Sequence, residues 1–197
     1  MAKQNLMERV VADIETCRRC GLWRNRGKAV PGEGNLDATV MFIGEAPGYW
    51  ENLKGRPFVG AAGKLLDEML MGIGASRSDV YIANVLKDRP PENRDPQPEE
   101  IQACTPYLDR QVEIIKPKII VTLGRHSTAY ILAKAGIEAE GITRTRGKVY
   151  EAELLGLKVM VIPTYHPAAA LYYPKYRDAL ERDFQVIKGE LEKLRLI

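Results

Sequence analysis

Cys17 and Cys20 stand at the C-x-x-C spacing that chelates a metal or forms a redox pair, and a third cysteine, Cys104, lies far downstream. Three cysteines make no disulfide framework. A redox pair of the thioredoxin kind would sit between a strand and a helix. This one follows a helical stretch and precedes a basic loop, which favours a metal. Gly44-Glu45-Ala46-Pro47-Gly48 is a second candidate. Its glycines let backbone approach a ligand, its proline stiffens the turn and Glu45 supplies a carboxylate; read alone, it is equally a plain turn. The histidines are His126 and His166. His126 opens a helix, where it caps or packs. His166 sits in Pro163-Thr164-Tyr165-His166-Pro167, where a neutral imidazole can donate a hydrogen bond into a crevice. Phe58, in the irregular stretch Arg56-Pro57-Phe58-Val59-Gly60, is either a satellite core residue or a stacking platform for a flat ligand. Neither the dinucleotide-binding glycine pattern nor a P-loop occurs, so a nucleotide cofactor has little support.

These residues need elements to position them. Residues 5–16 read as a helix with Leu6, Val10, Ala12 and Ile14 mostly on one face. Residues 39–43 form an apolar, β-branched run closed by Gly44, a buried strand. A Gly-rich loop then runs to Gly63, followed by a helix over 64–70 and a second strand over 80–85. Residues 86–98 carry four prolines and predict an irregular loop. Pro98-Glu99-Glu100 opens a helix that continues to Ile115. A third strand follows at 118–123 and a short helix at 125–134. Residues 149–153 and 157–162 bracket a hairpin turn at Leu155-Gly156, the second arm being the fourth core strand, and the last 20 residues form an amphipathic helix. The alternation predicts an α/β fold, a three-layer α/β/α sandwich around a central, mainly parallel four-stranded sheet, in a single domain over 1–197. In such sheets ligands bind beyond the carboxyl ends of strands. Residues 44–48, Asn84–Lys87 and 163–167 all fall there.

Composition agrees with a globular class, at 45% hydrophobic and 28% charged residues. No apolar run approaches the roughly 20 residues a membrane helix needs. Met1-Ala2-Lys3-Gln4-Asn5 lacks a signal core, so a cytoplasmic location without a membrane partner is expected. A net charge of +3 permits a polyanionic partner without establishing one. Arg18, Arg19, Arg24, Arg26 and Lys28 form one basic cluster and Lys87, Arg89 and Arg94 another. Each is a solvated face or a set of phosphate contacts.

Taken in order, C-x-x-C, Gly44 to Gly48, Gly55-Arg56-Pro57-Phe58-Val59-Gly60 with Ala62-Gly63, Asn84 to Lys87, Arg89-Pro90-Pro91 with Asn93-Arg94-Asp95-Pro96, Cys104, and Tyr165-His166-Pro167-Ala168 span nearly the whole chain. In this combination the sequence resembles the family 4 uracil-DNA glycosylases, the iron-sulfur branch found in thermophilic archaea and bacteria. The resemblance implies a base-excision repair enzyme that flips uracil out of single- or double-stranded DNA and hydrolyses its N-glycosidic bond, leaving an abasic site. It implies that Phe58 stacks on the base and Asn84 reads its edge. His166 would donate to uracil O2, helped by backbone NH groups near Glu45 and Ala46, with Gly44 and Pro47 shaping the same pocket. Glu45 would stabilise the sugar cation or orient water, and Glu51 would crowd the pyrimidine C5 position to exclude thymine. Leu171 would fill the space left in the duplex. Tyr172 stands where the family commonly has an arginine, so stacking would replace a phosphate contact there.

The resemblance also implies a 4Fe-4S cluster held by four cysteines, the third of which precedes the Arg-Pro-Pro stretch. Here that position is Asp88. The expected ligand set is therefore Cys17, Cys20, Asp88 and Cys104, although a carboxylate holds iron less tightly than a thiolate. The alternative is a three-cysteine site with Asp88 paired to Arg89. A monomer is expected, and no protein partner is legible. Two other readings compete: a non-catalytic, metal-stapled nucleic-acid-binding module, and a hydrolase of small nucleosides. Neither accounts for all of Glu45, Asn84, His166 and the basic loops.

Overall fold

The computed structural model describes residues 2–194. In chain order the elements are α1 (Lys3–Glu15), β1 (Glu33–Gly34), β2 (Val40–Gly44), α2 (Tyr49–Lys54), α3 (Ala61–Gly72), β3 (Tyr81–Asn84), α4 (Pro98–Ile115), β4 (Ile119–Leu123), α5 (Arg125–Lys134), α6 (Ile142–Thr145), β5 (Tyr150–Leu154), β6 (Leu157–Thr164), α7 (Pro167–Tyr172) and α8 (Pro174–Lys193). The expected C-terminal helix is α8; the last three residues of the stretch predicted for it lie outside the described residues.

The sheet has six strands in the order β1-β3-β2-β4-β6-β5, not four. The four core strands expected from sequence, β2, β3, β4 and β6, run parallel at its centre. The two additions are antiparallel edges: β1, only two residues long, and β5, the first arm of the hairpin. Every residue of β2, β3 and β4 is buried, as expected where helices cover both faces of a parallel sheet. The strand period distributes side chains between two cores. Met41, Ile43, Tyr81 and Ala83 join α1 and α4 on one side. Val40, Phe42, Ile82 and Val121 join α3 and α8 on the other.

Two local expectations change. The buried face of α1 is Met7, Val10 and Ile14, while Ala12 is exposed, because a helical stripe follows the 3.6-residue period more closely than a run of apolar letters does. The Gly-rich stretch before Gly63 contains α2, entered from Gly48 and closed by Gly55 at φ 74°, and α3 begins at Ala61. No helix among the described residues is long and apolar enough to cross a membrane.

Candidate active site

The parallel register places Gly44 opposite Asn84. Beyond the strands, the amides of Val85 and Leu86 each donate 3.0 Å bonds to the carbonyls of Gly44 and Glu45. Ladder bonding thus continues one step past β2 and fixes the path of Glu45. At these strand ends a cavity of about 330 Å³ opens, lined by residues that include Glu45, Glu51, Phe58, Asn84, Arg94 and His166. Ala46, Pro47 and Gly48 also line it. Gly44 lies beneath, in contact range of both Asn84 and Phe58. The structure therefore brings together all the expected catalytic and base-reading residues.

Phe58 holds a left-handed backbone at φ 52°, a conformation that costs a bulky residue free energy. Its surroundings leave no room for side chains on two neighbours. A Cβ on Gly44 would lie 2.4 Å from Asn84 Oδ1 and 2.7 Å from Phe58 Cζ, and one on Gly63 would lie 1.7 Å from the Phe58 carbonyl. The glycines of these two motifs are there for close approach. The Phe58 ring packs directly against the His166 imidazole, with centroids 5.5 Å apart and planes inclined by 28°.

His166 precedes α7, and its Nδ1 accepts a 3.1 Å bond from the amide of Ala168. That bond fixes the tautomer: Nδ1 is the acceptor, so the proton of the neutral ring sits on Nε2. Burial lowers the His166 pKa to about 4, opposed by attraction to Glu51, so the ring stays neutral near pH 7. The approach to His166 is anchored from behind, where buried Asp183 of α8 accepts from Thr164 Oγ1 at 2.5 Å and from Arg146 Nε at 2.9 Å.

Asn84 is 2% exposed, and its Oδ1 has no hydrogen-bond partner among the described residues. Buried polar atoms left in this state are rare and costly. Its backbone is secured by Lys87, whose Nζ donates to the Asn84 carbonyl at 2.8 Å, to Gln111 Oε1 at 2.8 Å and to the Pro31 carbonyl at 3.2 Å. Lys87 was expected in a basic loop. It is instead 1% exposed, and burial lowers its pKa to about 7, so it serves the interior and not an anionic surface.

Glu51 lines the cavity, and its carboxylate is held by three backbone amides: Val59 at 2.8 Å, Gly60 at 3.0 Å and Gly48 at 3.1 Å. It clasps α2 to the Phe58 loop and makes that wall stiff. Glu45 is half-buried, and burial raises its pKa above 4.5; His126 and Arg125 counter this shift, and Asp95 adds to it. His126 Nε2 lies 4.0 Å from a Glu45 oxygen and 3.4 Å from Asp95. Sequence reasoning gave His126 only a capping or packing role, because the loop that carries Asp95 comes 30 residues earlier than Arg125 and meets it only in three dimensions. Asn93 and Arg94 were likewise not singled out as cavity walls; the Asn93-Arg94-Asp95-Pro96 motif was the available signal. Leu171 and Tyr172 of α7 are exposed, at 43% and 77%.

The cysteines form a second locus. Cys17 and Cys20 are partly exposed and Cys104 is buried. Cys20 is pulled down to about 6 by hydrogen bonding from Cys104, while the same contact and burial push Cys104 up. Asp88, expected as the fourth ligand, has another partner. Arg26 Nε and Nη2 donate to its two oxygens at 2.7 and 2.6 Å, and the same guanidinium reaches the carbonyls of Glu15 at 2.6 Å and Cys17 at 3.0 Å. Three thiolate-forming side chains have the ligand chemistry an iron-sulfur cluster needs, with Cys20 and Cys104 in contact, whereas the Asp88 carboxylate is engaged by Arg26 at both oxygens and is not free as a fourth ligand.

The sequence model of the uracil DNA glycosylase superfamily matches residues 31–188. The chain is 53% identical to the type-4 uracil-DNA glycosylase of Saccharolobus solfataricus, over 94% of this chain and 86% of that one. It is 55% identical to the type-4 enzyme of Sulfurisphaera tokodaii, over 92% and 83%. With the type-4 enzyme of Archaeoglobus fulgidus it shares 54% identity, over 94% and 92%.

Proposed function

The chain belongs to the uracil DNA glycosylase superfamily, and from that premise we propose that it removes uracil from DNA by hydrolysing the N-glycosidic bond of a flipped nucleotide. The orphaned oxygen of Asn84 carries this reading. A carboxamide offers an acceptor to uracil N3–H and a donor to O4. Cytosine presents the opposite polarity at both atoms and would leave the buried amide unpaired, which discriminates far more strongly than shape alone. Phe58 covers one face of the base, and the Glu51 wall crowds C5 against a methyl group.

Hydrolysis breaks the N1–C1′ bond. The bonding electrons leave with uracil, the sugar acquires cationic character and water adds to C1′. His166 Nε2–H donates to O2 as negative charge develops there, and a neutral donor needs no proton transfer to do so. Glu45, ionised, stabilises the sugar cation and orients or deprotonates the water. Leu171 enters the gap left by the flipped nucleotide and Tyr172 packs beside it.

A cluster, when bound, would be held by Cys17, Cys20 and Cys104 and would tie the C-x-x-C loop to α4; no step of the hydrolysis passes through it. All groups that the reaction needs come from one chain, which supports action as a monomer. Three free cysteines suit a reducing, cytoplasmic setting.

The test is incubation with a uracil-containing oligonucleotide without added metal, followed by alkaline cleavage at abasic sites. Scission is expected, with a rate about 10²- to 10³-fold lower in His166→Ala, the usual effect of removing one preorganised donor. An intact strand in the wild-type reaction would reject the reading, and undiminished scission in His166→Ala would reject the site.

A further inference from the structure

On the rim of the cavity, α2 presents three large apolar side chains to solvent: Tyr49 at 56%, Trp50 at 52% and Leu53 at 53% exposure. Adjacent exposed apolar side chains of this size mark an interaction surface more often than isolated ones do. Their place in the chain is informative. Gly48 and Glu51, on either side of the Tyr49-Trp50 pair, both line the cavity, so the aromatics stand at its lip. Their rings pack edge to face with centroids 5.2 Å apart, and the Arg89 guanidinium lies 5.5 Å from the centre of the Tyr49 ring. Arg89 comes from the loop that supplies the lining residues Pro90, Asn93 and Arg94.

Past the lip, the C-terminal end of α2 borders a second, polar groove of about 600 Å³, whose lining includes Lys28, Lys54, Gly27, Gly55 and Glu15. Lys28 and Lys54 are exposed and have no ion-pair partner among the described residues. Arg26 also lines the groove, but its guanidinium is engaged by Asp88. The order along the surface is therefore base pocket, aromatic lip, free ammonium groups. Flat π faces next to cations are how unpaired nucleic acid is held without sequence preference.

We propose that α2 is a docking surface for single-stranded DNA flanking the flipped nucleotide, with an unpaired neighbouring base stacked on Trp50 and Tyr49 and the next phosphates against Lys54 and Lys28. This rests on the glycosylase reading and extends it to substrate form. A duplex keeps neighbouring bases stacked on each other and cannot offer their faces. The surface thus favours uracil in single strands, or in duplex ends and gaps, over uracil inside a closed helix.

The test uses binding without turnover. Trp23→Phe leaves Trp50 as the only tryptophan. Its fluorescence is titrated with a uracil-free thymidine oligonucleotide, and with the same strand annealed into a blunt duplex. Quenching by the single strand is expected, with weak or no quenching by the duplex. In the wild-type background, Trp50→Ala should weaken single-strand binding by about tenfold, the loss of one stacked base, measured by anisotropy of a labelled oligonucleotide. Met71→Ala, at a 67% exposed site on α3, should bind as wild type. Absent quenching, or equal affinity in Trp50→Ala, overturns the proposal. So does quenching that follows protein concentration and not DNA, which would assign the face to a second copy of the chain. Because no uracil is present, failure here leaves the scission assay to judge the glycosylase reading separately.

Discussion

The base pocket and the cysteine locus are both built from segments far apart in sequence, yet they differ in what they leave undone. At the cysteine locus the anion is already answered: Asp88 receives two bonds from Arg26, which also ties down the end of α1 and the C-x-x-C loop. In the pocket the opposite holds. The Lys87 anchor, the Glu51 clasp and the His166 tautomer lock are all bonded, while the acceptor at the centre, Asn84 Oδ1, is not; besides it only Arg77 Nε, behind the Phe58 loop, is buried without a partner among the described residues. A saturated set of polar groups marks a part that holds the fold; an unsaturated atom inside a saturated frame marks the place of a ligand.

The contrast can be broken most forcefully at Asn84. Asn84→Asp exchanges the donor for an acceptor facing uracil O4, and kcat/KM for uracil excision should fall about 10⁴-fold, the scale of a polar mismatch in a buried site. A loss of tenfold or less, in a variant whose melting temperature is unchanged, would mean that the orphaned oxygen is not the reader.

Asp88→Ala probes the saturated side. It leaves a largely buried guanidinium without its anion, which costs about 3 kcal/mol. For a chain of this size, that corresponds to a melting temperature lower by roughly 6–12 °C. Iron per protein should be the same in wild type and variant. Loss of iron on substitution would restore Asp88 as a ligand and erase the distinction between the two regions.

The smallest effect is the most diagnostic of charge. The proposed mechanism needs Glu45 ionised, and burial raises its pKa, so kcat/KM should rise with pH through a limb lying above the ordinary value of 4.5. His166, lowered to about 4, remains a neutral donor above that, so any limb it contributes lies near 4, below the one assigned to Glu45. Glu45→Gln should lower activity and abolish the limb. A limb that survives in Glu45→Gln belongs to another group, with His126, Asp95 and Arg125 the nearest charges.

The four core strands were legible because each is a compact apolar run closed by a turn or polar residue, and burial on both faces permits such runs. The edges were not. β1 is two residues with a glycine, and its pairing with β3 has no period to read. Six-residue α2 hid in a stretch rich in glycine, where its caps look like loop. The candidate site was more legible than the fold, since Glu45, Phe58, Asn84 and His166 lie in short motifs at strand ends or in their connecting loops. What failed was anything that depends on a partner distant in sequence. Lys87 looks like surface charge until Gln111 and Pro31 are beside it, and the partner of Asp88 lies 62 residues away.

The unsatisfied oxygen of Asn84 remains poised after the bond is cut. In the proposed mechanism Asn84 pairs with the O4 and N3 edge of the base, which free uracil keeps, so the frame would accept the released base as well as the joined one. The released base is therefore a competitor for the same seat. Free uracil added to the scission assay should then inhibit competitively, a consequence of the proposed reading that a simple titration checks.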